Sequence, residues 1–173
     1  MLKSKIIKWQ LSLKKMRKHI KKLKKEDCGP LKKINQFSVP DDWVTIKSIE
    51  AHTGGEPLRI IIDGYPKLKG KTILDKRNDA LLNHDHIRKA IIWEPRGHSN
   101  MYGAILVEPD SPEADLGVIF MHNEGYSTGC GHAVIALTKV LIEMNLVQII
   151  EPETKVKMDV PSGYIEYPPT LLL

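Results

Sequence analysis

Cysteine, phenylalanine and long apolar runs are scarce in this chain of 173 residues. It has two cysteines and two phenylalanines. Cys28 sits in a polar stretch and Cys130 between two glycines, so segments of such different character do not read as a structural disulfide pair. No apolar run approaches the roughly 20 residues that a membrane-spanning helix needs. The N-terminus is too densely charged to supply the apolar core of a secretory signal. These absences point to an intracellular, cytoplasmic protein. There is no internal repeat and no low-complexity tract, and 42% apolar with 27% charged residues is the balance of a modest soluble domain with a genuine core.

Acidic residues are missing from residues 1–25, which carry eleven Lys and Arg. The other fifteen cations face twenty-one acids, so the net charge of +5 conceals about −6 over residues 26–173. Within the basic segment Ile6, Trp9, Leu13, Met16, Ile20 and Leu23 recur at alternating spacings of three and four, the pattern of a basic amphipathic helix. Such a helix suits peripheral contact with an anionic membrane surface, nucleic acid or an organelle-targeting role, and equally a solvated extension or start-site artefact with no partner. The acidic remainder shows no basic stripe with interleaved aromatics, so nucleic acid is not expected as a partner of the whole protein.

Residues 26–42 hold Gly29, Pro30 and Pro40 with little periodicity and read as a linker, which places the start of a domain near Trp43 and extends it to residue 173. "WVTIKSIEA" alternates as a strand, "TGGEP" turns it, and "LRIIID" reads as its hairpin neighbour, ended by Gly64 and Pro66. Residues 72–91 predict one helix, with Ala80, His84, Ile87 and Ile91 at spacings of four, three and four. "MYGAILVEP" and "LGVIFMH" predict two more strands, and residues 131 to about 145 a second helix. The class is α+β with a mixed or antiparallel sheet.

The second helix carries the chemistry. "AVIALTKVLIEMNLV" is apolar on nearly every side, interrupted by Thr138, Lys139, Glu143 and Asn145, so it predicts a buried helix wrapped by sheet. Cys130 then lies at the mouth of a core. A thiol at a helix N-terminus feels unsatisfied N–H groups that lower its pKa and favour thiolate. The amides of Gly131 and His132 suit a carboxylate, and Gly129 and Gly131 keep side chains out of a ligand's way. A base beside an anion hole fits a small carboxylic acid whose α-proton lies near the sulfur.

Other readings of the same residues compete. A single buried cysteine is often an inert small hydrophobe, though inert cysteines seldom need glycine on both sides. Zinc has His52, His98, His122 and His132 to draw on, yet none forms a CxxC or HxxxH pair, and Cys130 with His132 at i and i+2 on a helix start would diverge; no metal site is assigned. His84 and His86 flank Asp85 as one core-facing and one solvated residue. A dithiol redox motif needs a second nearby cysteine, which the sequence lacks.

"HTGGEPLR" at 52–59, "EPRGHSNMYGA" at 94–104 and "MHNEGYSTGCGHAVIAL" at 121–137 resemble, in order, the motifs of the proline racemase family, and the wording around Cys130 is most similar to its trans-3-hydroxy-L-proline dehydratase branch. The resemblance runs from about residue 43 to 167. Racemase and epimerase members tend to read leucine where this chain has Ser127, and a glycine-threonine type of helix start where it has Ala133 and Val134. The resemblance implies a lobe like those of diaminopimelate epimerase, a sheet wrapped around a central apolar helix, with two such lobes holding a proline or hydroxyproline between facing helix N-termini and using no cofactor. In racemases a cysteine from each lobe works. In the dehydratase branch threonine usually replaces the second, so the carbanion expels the 3-hydroxyl and the enamine tautomerises to Δ1-pyrroline-2-carboxylate. By the same resemblance Cys130 is the first-lobe base and Gly131 with His132 supply the substrate-binding amides.

Two departures stand out. Residue 129 is glycine where the family usually has methionine, which predicts a looser turn and a more exposed thiol. Family members run to about twice this domain, and the chain stops at "YPPTLLL", which predicts a truncated lobe whose opposing helix and second catalytic residue are missing, with an apolar sheet edge left open. Proline racemase and 4-hydroxyproline epimerase therefore stay as alternative activities, and a catalytically inactive lobe acting as a binding or regulatory partner stays as a non-enzymatic one. A homodimer is left open.

Overall fold

The computed structural model describes residues 38–150 and 154–168. The chain divides into two units, residues 1–43 and 44–173. Of the first unit, the basic segment read over 1–25, Cys28 and the linker as far as residue 37 lie outside the described residues.

The chain enters its sheet through a tight hairpin. β1 (Lys47–Thr53) pairs antiparallel with β2 (Glu56–Asp63), with Thr53 opposite Glu56. Only Gly54 and Gly55 lie between, at φ 60° and 100°. A type I′ two-residue loop, whose twist matches the strands, needs positive φ at both central residues, which the two glycines of "TGGEP" allow. The strand expected from Trp43 begins later, at Lys47: Val44 is 80% exposed and buries nothing that would reward pairing.

The expected single helix over 72–91 is two. α1 (Ile73–Asn83) starts with a reciprocal cap, Thr72 Oγ1 accepting from the Asp75 N–H at 3.1 Å while Asp75 Oδ2 accepts from the Thr72 N–H at 3.1 Å. It ends at His84, whose φ of −129° leaves the helical region. The Ile87 N–H bonds the His84 carbonyl at 2.9 Å, three residues back rather than four, and α2 (Asp85–Ile92) proceeds from there. Apolar spacing carries no mark of this break, because Ala80, Ile87 and Ile91 face one layer on either side of it.

β3 (Tyr102–Val107) runs parallel to β2, and β4 (Leu116–His122) antiparallel to β3. α3 (Gly131–Glu143) then crosses over to β5 (Val156–Val160), parallel to β4, and β6 (Gly163–Tyr167) closes a hairpin with β5. The described residues form one six-stranded sheet in the order β1-β2-β3-β4-β5-β6, of mixed sense as expected. The β5–β6 pair went unread, although "VKMDV", "PSG" and "YIEY" carry the strand and turn pattern.

Two apolar layers sandwich the sheet. On one side α3 packs against β1, β2, β3 and β6, and its Ala133, Leu137 and Leu141 meet Leu58, Phe120 and Met158. On the other side Ile73 and Ala80 of α1 and Ile87, Ile91 and Ile92 of α2 meet Ile105, Ile119 and Met121. β4 feeds both layers: Leu116, Val118 and Phe120 point to α3, Ile119 and Met121 to α1 and α2. Gly117 marks a close approach of α1 to the sheet, since a Cβ there would lie 2.6 Å from Ile73 Cδ1 and 2.9 Å from the Glu108 carbonyl oxygen.

α3 ends where Asn145 turns left-handed at φ 54°. The Asn145 N–H bonds the Ile142 carbonyl at 3.0 Å and the Leu146 N–H the Leu141 carbonyl at 2.8 Å, the paired bonds that close a helix when a short polar residue tolerates positive φ.

Candidate active site

α3 starts at Gly131, and Cys130 is its N-cap, extended at φ −155° and ψ 104°, with its carbonyl accepting from the Val134 N–H at 3.1 Å. By helix geometry the amides of Gly131, His132 and Ala133 have no intrahelical acceptor. Gly131 is exposed, and a Cβ on it would meet nothing within 4 Å. Neither Gly129 nor Gly131 adopts positive φ, and a Cβ on Gly129 would make ordinary contact with Ser162 Oγ at 3.5 Å, so the open space lies at Gly131.

Cys130 and His132 do not diverge. The sulfur lies 3.3 Å from His132 Nδ1 and 3.7 Å from Nε2. Divergence at i and i+2 holds only if both residues are helical, and the extended N-cap removes that condition. The ring can accept the thiol proton or donate to a thiolate, depending on its tautomer. A second expectation also reverses. Burial pushes the half-buried thiol's pKa up, and the Ala133 amide opposes this only in part. Among the described residues no Lys or Arg bonds the sulfur, so the helix start alone does not outweigh desolvation in this lobe.

Three elements hold the helix start. Thr53 Oγ1, at the β1–β2 turn, donates to the His132 carbonyl at 2.8 Å. The Ser162 N–H, at the β5–β6 turn, bonds the Thr128 carbonyl at 3.0 Å. Tyr102, first residue of β3, meets the His132 ring edge-on at 4.9 Å between centroids and stacks on the His122 ring at 5.4 Å. Tyr102 and His122 therefore wall the site. The sequence does not single out Tyr102, because its place beside His132 depends on the N-terminal ends of β3 and α3 coming together in the fold.

The remaining histidines disperse. His98 Nδ1 accepts from the Asn100 N–H, His84 lies 3.6 Å from Asp79, and His86 is exposed. Among the described residues no three His, Cys, Asp or Glu side chains lie close enough to hold a metal ion. A groove of about 560 Å³ lined by Tyr65, Leu68, Lys76, Ile105 and Val107 shares no residue with the cysteine site. No helix of the described residues is long and apolar enough to cross a membrane.

A mixed sheet packed on an apolar helix, with a cysteine at that helix's N-cap, makes a lobe of the epimerase type, and solved structures share its fold. A hydroxyproline epimerase from Agrobacterium vitis, solved with trans-4-hydroxy-L-proline, superposes with a TM-score of 0.65 at 24% identity, over 70% of this chain and 36% of that one. A probable proline racemase from Agrobacterium radiobacter gives a TM-score of 0.65 at 27% identity, over 70% and 36%. The chain belongs to the proline racemase family, which it matches over residues 48–169. It is 53% identical over 125 residues to a trans-3-hydroxy-L-proline dehydratase of Colwellia psychrerythraea, 72% of this chain and 35% of that protein. A trans-L-3-hydroxyproline dehydratase of Xenopus tropicalis is 50% identical over 127 residues, 73% of this chain and 36% of that protein. A 3-hydroxyproline 2-epimerase of Burkholderia multivorans is 52% identical over 122 residues, 70% and 36%. The chain spans about 35% of the length of the curated relatives it matches.

Proposed function

We propose that this chain is the cysteine-bearing lobe of a trans-3-hydroxy-L-proline dehydratase. Cys130 removes the α-proton of the substrate, whose carboxylate sits on the Gly131 and His132 amides. The electron pair left at Cα expels the 3-hydroxyl, which departs as water after taking up a proton, and the enamine tautomerises to Δ1-pyrroline-2-carboxylate. The observation that carries this reading is the sulfur of Cys130 held 3.3 Å from His132 Nδ1 beside free helix amides. His132 gives the thiol proton somewhere to go, and the amides stabilise charge on the carboxylate.

Desolvation acts against thiolate in the lobe by itself. The reading therefore requires an opposing lobe that brings further positive potential and excludes water. Epimerisation is the second reading, supported by the 52% identical 3-hydroxyproline 2-epimerase; there a base on the opposing lobe returns a proton to the other face. A fusion of this chain to the second lobe of a related dehydratase is expected to convert trans-3-hydroxy-L-proline to the pyrroline without added metal or nucleotide. Cys130→Ser is expected to abolish turnover. Product formation by the Cys130→Ser fusion would move the base elsewhere, and hydroxyproline epimerised at Cα in place of pyrroline would select the epimerase reading.

A further inference from the structure

Among the described residues no Lys or Arg bonds the Cys130 thiol, yet the loop that leads to it is gripped by charge from the far side of the sheet. Arg88 of α2 is 4% exposed. Its Nε donates to Asp85 Oδ1 at 2.6 Å and its Nη2 to Asp85 Oδ2 at 3.2 Å, which fixes the guanidinium plane. Its Nη1 donates to the carbonyls of His122 at 2.7 Å and Asn123 at 2.5 Å. Trp93 Nε1 adds a bond to the Asn123 carbonyl at 3.1 Å, and the guanidinium stands 5.8 Å from the Tyr126 ring centroid. A buried cation spent on backbone carbonyls at a strand end specifies where that strand end lies. Little else on α2 needs it, because Ile87, Ile91 and Ile92 already bury the helix.

What Arg88 specifies is the His122 ring. That ring stacks on Tyr102, and Tyr102 meets the His132 ring, which touches the Cys130 sulfur. The contacts are continuous from the guanidinium to the thiol. We propose that Arg88 is a positioning residue for the Cys130–His132 pair, acting through the His122 carbonyl and the stacked His122 and Tyr102 rings. The inference rests on Cys130 being the reacting thiol of the proposed function, but it concerns the thiol's surroundings and not the substrate.

The test is the pH profile of Cys130 alkylation by iodoacetamide, followed at the Cys130 peptide by mass spectrometry on folded protein of the full chain. Arg88→Lys keeps the charge and loses the fork. It is expected to slow alkylation at neutral pH by about two- to thirty-fold, the span over which residues outside a site modulate it through packed neighbours, and to move the profile. Tyr102→Leu is expected to do the same. The double variant is expected to be no slower than the slower single variant, because both act on one path. A purely structural Arg88 would lower the melting temperature and leave the profile of the folded protein unmoved, and that result overturns the proposal. If Arg88→Lys does not fold, His122→Leu decides, since it removes the stacked ring and keeps the backbone carbonyl that Arg88 grips: an unmoved profile overturns the proposal, and a moved one supports it. Because the readout is alkylation, an inactive fusion with a moved profile would remove the dehydratase reading and leave the positioning role standing.

Discussion

The two faces of the sheet are built differently. On the α3 face the buried residues are almost all apolar, and among the described residues the buried hydroxyl of Thr138 in α3 has no partner. On the α1 and α2 face the apolar layer is ringed by charged side chains that bond neighbouring groups, although the buried Nε of Arg77 has no partner among the described residues. Asp79 accepts from the Lys69 N–H at 2.9 Å and from Asn83 Nδ2 at 2.8 Å, Asp85 holds Arg88, and Arg77 donates to the Tyr126 carbonyl. The difference separates two tasks. Apolar packing around α3 buries the helix that carries Cys130, and among the described residues no Lys or Arg bonds the thiol. The far face does the fixing, with guanidinium groups on the carbonyls of residues 122, 123 and 126 just before the cysteine.

Breaking each face in turn tests this contrast. Phe120 is fully buried between β4 and α3, and Phe120→Ala is expected to cost about 3–5 kcal/mol in denaturant unfolding, the usual range for emptying an aromatic site that cannot collapse. On the far face Asp85→Asn takes away the carboxylate of the Arg88 fork while both backbone carbonyls stay. A loss of about 1.5–3 kcal/mol is expected, the scale of hydrogen bonds to charged groups, and a loss as large as that of Phe120→Ala would put the weight of the fold on charge. The pH dependence has a fixed sign. The hydrogen bond from Arg88 holds the Asp85 carboxyl below the ordinary carboxylate range. Its contribution is therefore complete above about pH 3.9, the unperturbed aspartate value, and is lost as pH falls through the lowered folded value. Thermal melts of the parent are expected to fall in that acid range more steeply than those of Asp85→Asn. Smallest is Thr138→Val, which replaces an unpartnered buried hydroxyl by a methyl of similar shape and is expected to stabilise by about 1 kcal/mol. A destabilised Thr138→Val would mean that the hydroxyl has a partner after all.

The sequence made much of this legible, for local reasons. Two glycines between alternating strands specify the β1–β2 turn, an all-round apolar run specifies a wrapped helix, and a cysteine just ahead of that run specifies a thiol at its N-terminus. The break at His84 left no mark, since the apolar residues keep their spacing across it. The first strand was read four residues early because Trp43 and Val44 look like strand residues but find no layer to enter.

Side-chain chemistry at the site divides along the same line. That Cys130, Gly131 and His132 belong together follows from adjacency, which the chain order settles by itself. That Cys130 and His132 converge depends on an extended N-cap, and that Tyr102 and His122 stand beside them depends on β3, β4 and α3 meeting at one end of the sheet. The direction of the thiol's titration belongs to the tertiary structure as well. A helix N-terminus favours thiolate wherever it lies, but desolvation depends on how many atoms crowd the sulfur, and only the packing of the folded lobe sets that number.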